Sequence, residues 1–263
     1  MCIYFFIIVV KYLHVVVSNV TCPRAADIVL ALDQSTSIIY RQPLDNWYVQ
    51  ILGFAKSIAG AFPIDKNLTQ VGLLKFSTRV EIVFHLNEYG DRDSLLNAID
   101  DVDIKGGRTN IAGALRTARN TMFAPWNGAR SEVPKILILL TDGVPNVEKS
   151  RTLEEASLTK NAGIRILTVG VTRHVDEDEL REIASTSEYF FFASDFTELD
   201  NIVSNLIETS CGEAATLPTT TTTTRPTTTP ITTTSTPTTT ATVTTTTTRQ
   251  TTRGIHRWFC DTA

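Results

Sequence analysis

The chain has few of the residues on which most site chemistry is built. Among its 263 residues are only 4 cysteines, 4 histidines and 2 methionines. No G-x-S-x-G occurs, and none of the histidines beyond the first segment, His85, His174 and His256, stands in a strand-end loop beside a serine, which excludes an ordinary nucleophilic serine site. The run after the first apolar strand is neither a P-loop nor G-x-G-x-x-G, so nucleotide binding of either type is excluded. Basic charge is not in excess: 24 Lys and Arg stand against 28 Asp and Glu. That balance gives neither nucleic acid nor an anionic membrane surface a footprint. No heptad pattern is present to drive a coiled coil.

What is present is one domain's worth of core. At 42% hydrophobic residues the chain can bury one substantial interior, and a domain of roughly 150 to 200 residues leaves room only for appendages. The first appendage is Met1 to Ser18. Its apolar run from Ile3 to Val10 is broken by Lys11 and followed by a second apolar patch, too short and interrupted for a membrane span. Residues 1–18 are expected to be a signal peptide cut near Ser18–Asn19, so the mature chain has no span and is secreted. Two sequons, at Asn19 and Asn67, suit an extracellular glycoprotein. Cys22 and Cys211 bracket the domain; a bridge between them would close a loop of nearly the whole domain, worth up to about 4 to 5 kcal/mol in the chain-entropy model. The alternative is a set of independent buried thiols. Cys260 is left over, free or linking two chains in a dimer.

After Cys211 the composition changes. Residues 212–253 are dominated by Thr and Pro, with almost no large apolar side chain to offset the entropy of ordering, and read as a mucin-like linker or stalk. Residues 254–263, with Trp258, Phe259 and Cys260, form a short tail.

Within 22–211 apolar runs alternate with amphipathic stretches. Strands are expected at Asp27–Asp33, Gln70–Ser77, Val80–Leu86, Lys135–Asp142, Ile164–Val171 and Glu188–Ala193. Helices are expected near Leu44–Ala61, Arg92–Asp101, Ile111–Phe123, Leu153–Ala162, Asp178–Ala184 and Leu199–Ile207. The runs VLAL, ILILL and RILTVGV are apolar throughout, as central strands covered on both faces must be. The expectation is a doubly wound α/β domain with a mostly parallel sheet. The back-to-back runs around Ser77-Thr78 predict a hairpin and one antiparallel edge strand. Trp47 and Trp126 are expected to pack in the core or its rim, His85 and His174 to be solvated, and VDEDELREIAS to be a solvated helix face.

In such sheets ligands sit beyond the carboxyl ends of the strands. Three loops there carry oxygen: Asp33, Ser35 and Ser37 in DQSTS; Thr109 in GGRTNIAGAL; Asp142 in ILLTDG. Two carboxylates and three hydroxyls, with no imidazole or thiol, form a hard donor set suited to Mg²⁺ or Mn²⁺, to Ca²⁺ less well, and poorly to zinc. Any one of these loops is also explained by helix capping. All three together resemble the von Willebrand factor type A family, from about Ala26 to Thr209. DQSTS is similar to that family's Asp-x-Ser-x-Ser element, and Thr109, after Gly106-Gly107, and Asp142 fall where it has its Thr and second Asp.

The resemblance implies a metal-ion-dependent adhesion site. Ser35, Ser37 and Thr109 would bind the ion directly or through water, Asp33 and Asp142 would bind it or hold its waters, and an acidic residue of a partner would complete the shell. Arg108 and Gly107 would lie on the rim. The implied protein is a matrilin-like or collagen-associated A domain, binding collagen, another matrix protein or a cell-surface receptor, and is not an enzyme. A phosphatase with Asp33 as nucleophile would need an acid two residues on, where Ser35 stands. The second reading is a structural matrix-assembly domain that engages partners without metal.

Overall fold

The computed structural model describes residues 25–37, 44–103 and 105–214, all within the first of two units into which the chain divides, Met1–Thr219. The expected signal peptide, most of the stalk, the tail, Asn19, Cys22, His256 and Cys260 lie outside the described residues.

Among the described residues one sheet holds β1 (Ala26–Asp33), β2 (Thr69–Phe76), β3 (Val80–Phe84), β4 (Lys135–Thr141), β5 (Ile164–Val171) and β6 (Phe190–Ala193). Their order is β3-β2-β1-β4-β5-β6. Only the β2–β3 pair is antiparallel, as the hairpin at Ser77-Thr78 requires. The helices are α1 (Leu44–Gly60), α2 (Arg92–Asp100), α3 (Ile111–Thr117), α4 (Thr152–Asn161), α5 (Glu177–Ile183) and α6 (Leu199–Ala214).

The two-residue period of the strands sorts the core onto two faces. Ile28, Leu30 and Leu32 of β1 share one cluster with Phe54 and Ile58 of α1, Leu95 of α2 and Leu206 of α6. Val29 and Ala31 share the other with Ile111 and Leu115 of α3, Ala156 of α4 and Leu180 of α5. Every residue of β1 and β2 is buried, which is why these runs lack a polar side.

This arrangement makes the site's position a matter of topology. After β1 the chain crosses to the face of α1, and after the adjacent β4 it crosses to the face of α4. The two connections part company between the carboxyl ends of neighbouring strands, which opens a crevice there. Leu32 pairs with Leu140, so Asp33 and Thr141 leave the sheet side by side.

Three expectations about the helices and tryptophans need correction. The third helix does not run regularly to Phe123: α3 gives way at Ala118–Met122 to a π-helical turn. The last helix does not stop at Ile207 but continues to Ala214, placing Cys211 inside it. Val203, Leu206, Ile207 and Cys211 pack on the core and Ser210 is buried, so the buried stripe runs on through a serine, which hydropathy alone does not mark. Trp126 is 76% exposed rather than packed, because it stands in a short turn, Pro125–Asn127. Trp47 lies within α1.

Candidate functional site

The oxygen-bearing residues singled out from the sequence do come together. Asp33 and Asp142 are both fully buried. Asp33 Oδ1 accepts from the Ser35 amide at 2.7 Å, and its Oδ2 accepts from the Thr141 hydroxyl at 2.6 Å. Ser35 Oγ lies 2.9 Å from Ser37 Oγ, and Ser37 Oγ donates to Asp142 Oδ1 at 2.7 Å. A methyl group placed on Gly143 would stand 3.6 Å from both Ser37 Oγ and Thr109 Oγ1. The two hydroxyls from distant loops therefore flank one point. Ser37, Thr109, Asp142, Gly143, Asn146 and His174 line an open cavity of about 410 Å³ there.

Capping does not account for Thr109. Asn110, not Thr109, is the N-cap of α3, its side chain accepting from the Gly113 amide at 2.8 Å. Thr109 is instead fixed through its backbone: its amide donates to Asn146 Oδ1 at 2.9 Å, and its carbonyl accepts from the Asn146 and Val147 amides at 3.0 and 3.1 Å. Its hydroxyl is thus left to face the cavity.

The Gly106-Gly107 pair supplies a turn that other residues could not. Gly106 and Gly107 have φ of 73° and 128°. Gly107 exchanges two bonds with Thr36: its amide donates to Thr36 Oγ1 and its carbonyl accepts from the Thr36 amide, both at 2.7 Å. Arg108 donates its amide to Thr78 Oγ1 at 2.9 Å, and its guanidinium reaches the Asn146 carbonyl. Thr36, the fourth residue of DQSTS, is therefore a clamp between loops. A Cβ on Gly107 would lie 2.9 Å from both Ser77 Oγ and Thr78 Oγ1. Gly107→Ala is expected to cost about 1–3 kcal/mol through backbone strain, read as a lower urea midpoint; an unchanged midpoint would show that the loop is not clamped there.

The electrostatics are unfavourable without a counter-charge. Burial first, and the charge of Asp142 second, push the Asp33 carboxyl up to about 7, against the lowering effect of the Thr141 and Ser35 hydrogen bonds. Two buried carboxylates surrounded by hydroxyls are the donor chemistry of a hard divalent cation. Among the described residues no three His, Cys, Asp or Glu gather as a metal cluster, so an ion held here would depend on the hydroxyls.

Thr141, Asn146 and His174 were missed from the sequence. Thr141 adjoins Asp142 in ILLTDG, and a buried hydroxyl beside a buried carboxylate was a usable signal; Asn146 and His174 gave none. His174 is exposed, as expected, but on the rim of the cavity. His85 is half-buried, not solvated, and its Nδ1 is enclosed without a hydrogen-bond partner among the described residues. Asn67 is exposed in the turn before β2, and Cys211 is disulfide-bonded.

A doubly wound sheet with an oxygen-lined crevice at its switch point defines a class of ligand-binding α/β modules. Residues 27–205 match the von Willebrand factor type A domain, and the chain belongs to that family. It is 33% identical over 193 residues to the collagen alpha-1(XII) chain of Notophthalmus viridescens, covering 73% of this chain and 20% of that protein. It is 31% identical over 191 residues to matrilin-1 of Gallus gallus, covering 72% of this chain and 37% of that protein. The chain thus spans well under half the length of these curated relatives. Among solved structures it resembles proximal thread matrix protein 1 of the mussel byssus, with a TM-score of 0.69, 28% identity and coverage of 73% of this chain and 49% of that one. One structure of that mussel protein has zinc in its metal-ion-dependent adhesion motif. Like its collagen and matrilin relatives, the protein is extracellular. No helix among the described residues is long and apolar enough to cross a membrane.

Proposed function

We infer that this protein is a secreted, non-enzymatic adhesion module whose A domain binds an extracellular protein ligand through a divalent cation. The observation that carries the reading is the convergence of Ser35, Ser37, Thr109, Asp33 and Asp142 from three loops around one point. Ser37, Thr109 and Asp142 would hold the ion, with Ser35 and Asp33 binding it or orienting its waters. When bound, the cation supplies positive charge that offsets two buried carboxylates and leaves a coordination position for an acidic side chain of the partner. The chain's own part is to fix those oxygens: Thr141 and the Ser35 amide orient Asp33, and Asn146 and Thr36 hold the loops.

Mg²⁺ is the expected ion, with Mn²⁺ as an equal fit and Ca²⁺ weaker. Zinc in the related mussel protein makes Zn²⁺ the competitor to include. The partner is a matrix protein such as a collagen, or a cell-surface receptor. A Cys22–Cys211 disulfide, a glycan at Asn67, a Thr/Pro-rich stalk after the domain and a Cys260-linked dimer complete the proposal.

A binding array of matrix proteins probed with the secreted chain in Mg²⁺ and in EDTA tests it. Chelation, and separately Thr109→Ala, are expected to lower partner binding at least tenfold, the scale on which disturbing a metal's supporting groups acts. Binding indifferent to EDTA would support the structural matrix-assembly reading instead.

A further inference from the structure

The strand that runs beside β4 ends in a conformation its sequence disfavours. Thr172, the residue after β5, has φ of 68°, and a β-branched side chain in the left-handed region is a true outlier. The conformation is held from both sides. The Thr172 amide donates to the Ala193 carbonyl at 2.9 Å, and its Oγ1 lies 3.4 Å from the Asp142 carbonyl. Strain of this kind persists where the surrounding structure over-determines it, and its usual beneficiary is a site. Here the beneficiary is His174. The turn brings its imidazole to the rim of the cavity shared by Ser37, Thr109 and Asp142.

The imidazole is also oriented. Thr172 Oγ1 lies 3.2 Å from His174 Nδ1 and accepts from the His174 amide at 3.4 Å. Its one hydrogen has two claimants, Nδ1 at 3.2 Å and the Asp142 carbonyl at 3.4 Å. Either the hydroxyl donates to Nδ1, or Nδ1 carries the proton and the hydroxyl donates to the Asp142 carbonyl; the role inferred below for the ring requires the first arrangement. With Nδ1 accepting, the neutral ring carries its proton on Nε2, and Nε2 is then a donor at the mouth of an oxygen-lined pocket. A donor there has no use for a cation, which it cannot ligate in that tautomer. It suits an anion seated on the cation.

We propose that His174 is a specificity-determining residue of this site, donating from Nε2 to the carboxylate of the acidic guest. This deepens the adhesion-site reading and rests on it. The guest class it selects is a carboxylate, whose second oxygen, free of the ion, accepts the hydrogen bond. Thr172 is a positioning residue for the ring.

The test separates the ion from the guest. Mn²⁺ is titrated into the secreted full chain, followed by water-proton relaxation, and acetate is then titrated into the Mn²⁺-loaded protein as the carboxylate probe. His174→Phe keeps a planar ring without a donor, and His174→Gln keeps an amide donor. The expected result is Mn²⁺ affinity within twofold in all three proteins, acetate affinity reduced about tenfold in His174→Phe, the scale of one hydrogen bond to a charged group, and largely restored in His174→Gln. Equal acetate affinity in wild type and His174→Phe would overturn the proposal while leaving the adhesion site standing. Loss of Mn²⁺ binding in His174→Phe would also overturn it, by showing that the ring serves the ion. Wild-type protein that takes up no Mn²⁺ would remove the adhesion-site reading itself, and this inference with it.

Discussion

Asp33→Asn is expected to cost the domain at least a hundredfold in divalent-ion affinity and yet to stabilise it when metal is absent. Both effects have one origin. Asp33 is fully buried beside Asp142, and burial followed by that neighbouring charge raises its carboxyl to about 7. The unfolded chain releases this proton near about 4, so between those values the folded state holds a proton that the unfolded state has lost. Stability of the metal-free domain is therefore full at low pH and falls as pH rises toward 7, by at most about 4 kcal/mol from this group. Asparagine removes the titration. Its amide can donate to Thr141 Oγ, whose hydrogen turns to the Gly143 carbonyl 3.3 Å away, so the bonding survives the exchange. Without the carboxylate the ion loses half of the fixed negative charge at the site. Thermal melts from pH 4 to 8 in EDTA, with and without the substitution, together with Mn²⁺ calorimetry, check both arms. A variant that melts lower than wild type at pH 7.5 in EDTA would contradict the account.

The second large effect lies at the other end of the same strand. Asp27 is fully buried, and Arg130 answers it three times: its amide reaches Oδ2 at 2.7 Å, and Nε and Nη2 reach Oδ1 at 2.9 and 2.7 Å. Arg130 also binds the carbonyls of Ala26, Lys66 and Leu68, tying the amino-terminal ends of β1 and β2 to the turn before β4. Burial raises the Asp27 carboxyl even with the arginine present, which opposes the rise. Arg130→Ala leaves a buried carboxylate without its counter-ion and is expected to cost about 3–5 kcal/mol at neutral pH. Since the folded carboxyl then titrates higher still, the loss grows as pH rises from the acid range. Urea unfolding at pH 4.5 and 7.5 measures it. Asp27→Asn in the same chain should recover much of the loss; a loss independent of pH and of Asp27 would assign Arg130's contribution to its carbonyl contacts alone.

Much of this was legible in the sequence because it is carried by period and punctuation. The unbroken apolar runs could only be central strands, and the hairpin at Ser77-Thr78 announced the antiparallel edge. Asp33 and Asp142 stood out because each ends an apolar run where a carboxylate has no packing role, and Thr109 because it stands between Gly106-Gly107 and the start of a helix. What stayed hidden depends on where loops lie in space. Asn146 and His174 are ordinary polar loop residues until the β4 and β5 connections fold over the same crevice, and Thr172 shows its strain only in its backbone. The extension of α6 to Ala214 was hidden for a different reason: the buried Ser210 continues its stripe without registering as apolar, and Cys211 reads in the sequence as the bracket that closes the domain.

Anomalous diffraction at the manganese edge from crystals grown in Mn²⁺ tests the central claim most directly. A single strong peak within coordinating distance of Ser37 Oγ, Thr109 Oγ1 and an Asp142 oxygen is the predicted result. A map with no peak there, or with manganese bound only elsewhere on the surface, would contradict it.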